Sequence, residues 1–265
     1  MPELPDVEVF RRYCQSTSLD QRITDVTVYS ERILDGITEE GLRKYLRGHK
    51  FQSTDRHGKY LFLDVSGKGW LGLHFGMTGT LKYYKNDHEI PDYTRALYDF
   101  EEDSHLAFIM PRKLGSIFMA GQIQDFVEKK ELGPDVYKED FDEKTFLELI
   151  SNRRGMIKSQ LMNQKLISGI GNVYSDEILF QAKVHPRKKV KELSQEEKTR
   201  IYWTMEDVLD TAIEQQADPD QFPTSYLTPH RNNESACPRC GRGLDKIKVS
   251  GRTSYFCPLC QGNRI

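Results

Sequence analysis

The stretch Leu161-Met162-Asn163-Gln164-Lys165-Leu166-Ile167-Ser168-Gly169-Ile170-Gly171-Asn172-Val173-Tyr174-Ser175-Asp176-Glu177-Ile178-Leu179 sets the architecture of the second half of this chain. It reads as a helix, a glycine-punctuated turn and a second helix. Gly169 and Gly171 let the backbone approach another surface closely. Asn172 falls at the start of the second helix, where free amides and the helix dipole favour an anion such as phosphate. The spacing alone favours an ordinary helix hairpin with an asparagine N-cap, with the anion site as the alternative.

Working outward, the helical period continues on both sides. Phe146, Leu147 and Ile150 share one face, and Ser194 with Glu197 forms a capping box. That box opens a long helix with Ile201, Met205, Val208, Leu209 and Ala212 turned inward. Residues 216–236 hold three prolines among Asn, Asp and Ser and read as loop. Beyond it, Cys237-Pro238-Arg239-Cys240 and Cys257-Pro258-Leu259-Cys260 are two Cys-x-x-Cys pairs separated by sixteen residues. This spacing predicts one tetrahedral structural Zn²⁺ site on Cys237, Cys240, Cys257 and Cys260. Two disulfides are the competing reading, disfavoured in a chain with no export signal. Between the pairs, Lys246–Phe256 reads as two short strands around Ser250-Gly251, with Arg252 at the tip.

The first half has a different period. A short helix over residues 3–16 is followed by short alternating segments at Ile23–Val28, Tyr60–Val65, Thr80–Tyr84 and His105–Ile109, with a helix near 38–47. Many short strands with turn signals predict a β-sandwich or barrel, of which the sandwich is the expected form. The polar stretch around Gly133-Pro134-Asp135 reads as a linker. The expected fold is therefore α+β: an N-terminal β-sandwich with a leading helix, then a helical domain and a zinc-ribbon hairpin. The corresponding boundaries are 1–125, a 126–140 linker, 141–230 and 231–265. Cys14 stands apart from the other four cysteines and reads as a packing residue on the first helix.

The first residues carry chemistry. The chain opens Met1-Pro2-Glu3-Leu4-Pro5-Asp6-Val7-Glu8. Removal of Met1 leaves a proline with a free secondary amine next to a carboxylate. An α-amino group titrates near 8, against about 10.4 for a lysine side chain. A useful fraction is thus neutral near pH 7 and able to attack a carbon at the aldehyde oxidation level. A proline that merely starts a helix is the plain alternative.

Composition narrows the function classes. Hydrophobic residues make up 37% and charged residues 29% of 265, and no apolar run approaches the ~18 residues of a membrane span. The N-terminus has no apolar signal core, so a cytoplasmic location is expected. The net charge of −2 is unevenly spread: −2 over residues 1–130, −5 over 131–230 and +5 over 231–265. A basic tail points to a local polyanion or is simply solvated.

Six blocks occur in order: Pro2-Glu3-Leu4-Pro5, Gly58-Lys59-Tyr60-Leu61, Leu73-His74-Phe75-Gly76-Met77-Thr78-Gly79, Pro111-Arg112-Lys113-Leu114-Gly115, Gly169-Ile170-Gly171-Asn172 and the Cys₄ ribbon. In this the chain resembles the formamidopyrimidine-DNA glycosylase / endonuclease VIII family, from residue 2 to about 261. The resemblance implies a helix–two-turn–helix element around the 161–179 turn. It implies a bifunctional DNA glycosylase/AP lyase that acts in base-excision repair on damaged double-stranded DNA, as a nucleoid-associated monomer and without a membrane. It assigns the nucleophile to Pro2, the proton shuttle to Glu3, catalytic support to Asp6, a phosphate and base contact near the scission point to Lys59, and a place in the catalytic set to Arg252. Met77, Arg112 and Leu114 match the trio that fills the hole left by the flipped base, and His74, Arg153, Asn172 and Arg252 match phosphate contacts.

Three features depart from the formamidopyrimidine branch. Asp6 stands where many relatives have Glu, Leu114 replaces a phenylalanine, and the 216–236 loop is short. They leave the preferred lesion open among formamidopyrimidines, hydantoins, oxidised pyrimidines and abasic sites, with 8-oxoguanine least favoured. A non-catalytic reader of damaged DNA is the rival reading, and an amino-terminal-proline tautomerase a remote one.

Overall fold

The computed structural model describes residues 1–85, 89–232 and 235–262. The chain divides into two compact units, one of Met1–Pro2 with Asp6–Glu131 and one of Glu3–Pro5 with Leu132–Ile265.

The first unit is built on two four-stranded antiparallel sheets. Helix α1 (Leu4–Thr17) leads into β1 (Ile23–Val28) and α2 (Glu39–Leu46). Then follow β2 (Phe51–His57), β3 (Tyr60–Val65), β4 (Trp70–His74), β5 (Thr80–Lys85), β6 (Thr94–Phe100), β7 (Ser104–Ile109) and β8 (Ser116–Ala120). The strand orders are β1-β6-β7-β5 and β2-β3-β4-β8. The inner faces interdigitate through Ile23, Val26, Leu61, Leu63, Leu71, Leu73, Phe51, Tyr98, Leu106 and Phe108, joined by Val7 and Cys14 from α1. Every second residue of a strand supplies this face, since successive side chains point to opposite faces. Cys14 is fully buried, as a packing residue should be.

The outer face of the second sheet is covered by α3 (Ile123–Lys129), a helix absent from the sequence reading. Phe126 stacks on Phe118 at 4.4 Å and 7° and meets Tyr60 and Phe62 edge-on. Gly72 makes room, because a Cβ there would lie 2.2 Å from the Phe118 ring. The segment read as a linker from 126 to 140 is thus helix at its start. It is also pinned further on: Ser168 donates through its backbone N–H to Pro134 O at 2.8 Å, and Asp135 and Val136 are buried. Its Gly-Pro-Asp composition signalled a turn, and the turn is packed rather than free.

The second unit contains α4 (Glu143–Ser151), α5 (Ile157–Leu161), α6 (Asn172–Gln181), α7 (Gln195–Glu214) and the hairpin β9 (Asp245–Val249) with β10 (Arg252–Phe256). The Ser194–Glu197 capping box is present: Glu197 N–H donates to Ser194 Oγ at 3.2 Å, and Ser194 N–H to Glu197 Oε2 at 2.9 Å. All five residues expected to face inward on α7 are buried. The helix preceding the glycine turn ends at Leu161, earlier than the pattern suggested. Asn163 is the reason: its side chain accepts from Lys165 N–H at 3.1 Å and its carbonyl from Leu166 and Ile167. Such an Asx turn competes with helix continuation. Gln164 braces the following turn, accepting from Gly169 N–H at 3.1 Å and donating to Ile170 O at 2.7 Å.

Tyr98 is fully buried between the sheets, and among the described residues its hydroxyl has no hydrogen-bond partner. Burial pushes its phenol well above the usual range. Tyr98→Phe removes a buried unpaired group, so we expect stability to rise by ~1 kcal/mol. Thermal unfolding should show a gain of about 2 °C; a fall would show that the hydroxyl is bonded.

Candidate active site and nucleic-acid interface

The first motif and the glycine turn fit each other. Leu4 N–H donates to Gly169 O at 3.1 Å. The Glu3 carboxylate accepts N–H bonds from Gly171 (2.8 Å), Val173 (2.9 Å) and Tyr174 (3.2 Å), at the N-terminus of α6. Glu3 is 1% exposed. A Cβ at Gly171 would lie 2.3 Å from Glu3 Cδ, and one at Gly169 2.3 Å from Leu4 Cδ1. Both glycines are therefore set by the passage of residues 3 and 4. Gly169 in addition has φ +116°, a conformation that side chains resist.

Two expectations change here. The anion held by the α6 amides is Glu3, not an external phosphate. The N-cap is Gly171, and Asn172 is the first helical residue. Its side-chain amide reaches instead to the ribbon, donating to Thr253 O at 3.0 Å, while its Oδ1 is buried and has no partner among the described residues.

Asp176, one turn further along α6, is a hub the sequence did not reveal. It pairs with the fully buried Lys158 of α5 and with Arg231 at 2.8 Å. It also accepts from Ser254 Oγ and from Tyr255 N–H at 3.1 Å, both on β10. Burial pulls the Lys158 ammonium below the ordinary lysine range, against the opposing pull of Asp176. Arg231 and Lys158 also reach the Asn172 carbonyl, each at 3.4 Å. The next residue, Glu177, is equally buried and accepts from Leu227 N–H, Thr228 N–H and Thr228 Oγ1. Burial raises its carboxyl above the usual range. Two buried carboxylates side by side on α6 thus fasten the ribbon and the 216–236 loop. Within the described part of that loop, 216–232, the only regular pieces are two single 3₁₀ turns.

The ribbon has the expected hairpin, turning at Ser250 (φ 48°) and Gly251 (φ 77°). Two successive positive φ values make this a type I′ turn. Arg252 directly follows it, exposed, with Nη1 3.6 Å from Met162 Sδ. The four cysteine sulfurs lie within 4.8 Å of one another, with Cys237–Cys260 at 3.9 Å and Cys240–Cys257 at 3.5 Å. Tetrahedral zinc with Zn–S of about 2.3 Å requires sulfur–sulfur edges of about 3.8 Å. The donor set fits structural zinc with no position left open. Arg153 lies elsewhere, exposed at the end of α4, where its side chain caps Leu149 O at 3.2 Å.

In the first unit, His57 and Tyr60 close the β2–β3 hairpin, leaving Gly58 and Lys59 as its two turn residues. Lys59, the second turn residue, is buried. His74, at the end of β4, rests on the Tyr60 ring at 4.9 Å. Burial, with added repulsion from Lys59 and Lys130, lowers its imidazole to about 4. His74 is therefore neutral at physiological pH and can offer a hydrogen bond but not a charge. Met77 and Leu114 are exposed large apolar residues, and Arg112 Nη1 lies 3.5 Å from Met77 Sδ. Glycines bring their loops together: a Cβ on Gly76 would meet Gly115 N at 2.6 Å, and one on Gly115 would meet His74 O at 2.1 Å. Asp6 lies in the first turn of α1.

Three family models match in order. Residues 1–117 match the formamidopyrimidine-DNA glycosylase N-terminal domain, 132–223 the H2TH domain of the same enzymes, and 235–262 the zinc finger found in FPG and IleRS. The chain belongs to the formamidopyrimidine-DNA glycosylase family. A family member from Streptococcus pyogenes serotype M6 is 34% identical, covering 100% of both chains, and one from Moorella thermoacetica is 31% identical, covering 98% of this chain and 92% of its own. Among solved structures, Lactococcus lactis formamidopyrimidine-DNA glycosylase non-covalently bound to DNA containing an AP site aligns at TM-score 0.87 with 30% identity, over 98% and 99% of the two chains. A MutM in complex with carbocyclic 8-oxo-G containing DNA aligns at 0.88 with 30% identity over the same shares. Among the described residues, no helix is long and apolar enough to cross a membrane.

Two outcomes follow from this geometry. Gly171→Ala must push Glu3 off its three donors, so we expect a loss of about 1–3 kcal/mol in thermal unfolding with zinc content unchanged. Stripping the metal with a chelator should unfold residues 235–262 while leaving the β-sandwich signal intact, read by amide exchange.

Proposed function

We propose that this protein is a base-excision DNA repair enzyme, a DNA glycosylase with AP lyase activity acting through its N-terminal proline. The observation that carries the reading is the junction at residues 2 and 3: a secondary amine once Met1 is removed, followed by a carboxylate fixed on three backbone donors. Family membership supports it along the whole chain.

In this reading the Pro2 nitrogen forms a bond to C1′ as the bond to the damaged base breaks. Glu3 relays the proton that opens the sugar ring at O4′, giving an iminium. The iminium draws electrons from the C2′–H bond, and loss of that proton expels the 3′ phosphate, then a second elimination the 5′ phosphate. Asp6 supports the α1 end of the site, and Lys59 and Arg252 supply cationic contacts near the scission point. A neutral His74, with Arg153 and Asn172, serves the phosphate backbone by hydrogen bonding and charge. Met77, Arg112 and Leu114 fill the hole in the stack, with Arg112 addressing the orphaned base.

We infer the lesion preference from two departures of this chain, Leu114 and the short 216–236 loop. Leu114 offers no ring for stacking, and Leu227 and Thr228 of the short loop are tied to Glu177. Both favour formamidopyrimidines, hydantoins, oxidised pyrimidines or abasic sites over 8-oxoguanine. We further infer that the protein works as a monomer in the cytoplasm at the nucleoid, the +5 charge of residues 231–265 supporting a standing attraction to DNA.

The test is borohydride trapping on an abasic duplex. We expect a covalent adduct whose protein part begins at Pro2, no adduct when an extra residue precedes Pro2, and a ~10²- to 10⁴-fold slower reaction for Glu3→Gln. Binding without an adduct would establish the non-catalytic reader instead. On single-lesion duplexes, Leu114→Phe should raise 8-oxoguanine excision relative to hydantoin excision; an unchanged ratio would remove Leu114 from the account of specificity.

A further inference from the structure

Glu8 and Arg56 are a buried ion pair to which nothing above gives a task. Glu8 is 4% and Arg56 3% exposed. Arg56 Nε donates to Glu8 Oε2 at 3.2 Å, and Arg56 Nη1 donates to Gly58 O at 3.1 Å. Glu8 also accepts from Arg11 at 2.8 and 2.9 Å and from Arg12 at 3.0 Å. Burial alone would raise the Glu8 carboxyl, but Arg11, Arg12 and Arg56 outweigh it and hold it down at about 2. The carboxylate is thus charged at every pH where the protein works.

We propose that Arg56 is a positioning residue for Lys59, acting through the Gly58 carbonyl and held in place by Glu8 on α1. The Gly58 carbonyl belongs to the peptide unit that joins Gly58 to Lys59. Because that unit is planar, fixing its oxygen fixes the direction in which the Lys59 backbone begins. Gly58 has φ +56°, and a turn residue without a Cβ has several conformations open to it. An external donor on its carbonyl selects one. Guanidinium suits the task, since its rigid fork holds a carboxylate on one edge and a carbonyl on another. Stability alone explains the pair poorly, because burying two charges costs about as much as their attraction returns. The inference rests on the proposed role of Lys59 in the reaction.

The test is a double-mutant cycle on the full, zinc-loaded chain beginning at Pro2. It combines Arg56→Gln with Lys59→Ala and reads single-turnover base excision and dissociation of an abasic duplex. We expect Arg56→Gln to slow excision about 10- to 100-fold with duplex affinity within about twofold. In the Lys59→Ala background the same change should cost nothing further, because the residue it positions is gone. Arg56→Lys keeps a charge beside Glu8 but lacks the planar fork that holds carboxylate and carbonyl in a fixed relation; it should show the same pattern and carries the comparison if Arg56→Gln fails to fold. Losses that multiply with Lys59→Ala, or an Arg56→Lys enzyme at full rate, overturn the inference. An unsubstituted chain that forms no adduct with an abasic strand overturns the functional reading instead, so the two failures are distinct.

Discussion

The Glu3 carboxylate on the N-terminus of α6 is the contact on which the most else depends. An α-helix begins with N–H groups that have no partner within it, and a buried helix start must find acceptors elsewhere. Three of those donors, on Gly171, Val173 and Tyr174, end on Glu3. One interaction thereby satisfies the helix, fixes the carboxylate next to Pro2, and dictates glycine at 169 and 171. The two sequence blocks farthest apart in apparent purpose are halves of one joint.

The same logic explains the polar residues along α6. From Tyr174 to Phe180 the helix is buried all round, so Ser175, Asp176 and Glu177 have no route to solvent. Their acceptors must be filled from inside. Asp176 is filled by Lys158, Arg231 and β10, and Glu177 by the backbone at Leu227 and Thr228. Removing one partner of such a network leaves an uncompensated buried charge, at a cost on the order of 3–5 kcal/mol. The zinc ribbon is therefore anchored twice: by its own metal site, and by the hydrogen bonds of Ser254 and Tyr255 to Asp176.

Local periodicity made much of the fold legible. The strand at Ile23–Val28, the Ser194 capping box and the Ser250-Gly251 hairpin turn all declare themselves within a few residues, and the structure has them there. The Cys₄ set is legible for the same reason, since metal ligands come in close pairs. What stayed hidden depends on partners distant in sequence. Asn172 looks like an N-cap to any local rule, but the N-cap is Gly171 and the acceptor for the helix start comes from residue 3, 168 positions earlier. Lys158, Asp176, Arg231, Glu8 and Arg56 look like solvated charges until their partners are known. The α3 helix is short, and its apolar residue Phe126 makes sense only against Tyr60, Phe62 and Phe118.

The exposed trio obeys a different constraint. Burying the exposed half of Met77 and Leu114 within the unit would stabilise it by about 1 kcal/mol each. Yet Gly76 and Gly115 press the roots of their loops together while the side chains stay outside, at 42% and 54% exposure. The loops are firm at the base, so the exposure is not a by-product of slack. A protein that holds apolar side chains out on a tight support has a use for them off its own core, and insertion between unstacked bases is one in which their desolvation returns the lost stability. In the proposed function Arg112, beside Met77, is the polar partner for an orphaned base in the same gap. Under that proposal the energy withheld from the fold would be released on DNA that lets a nucleotide leave the stack, which damaged DNA does more readily than intact duplex.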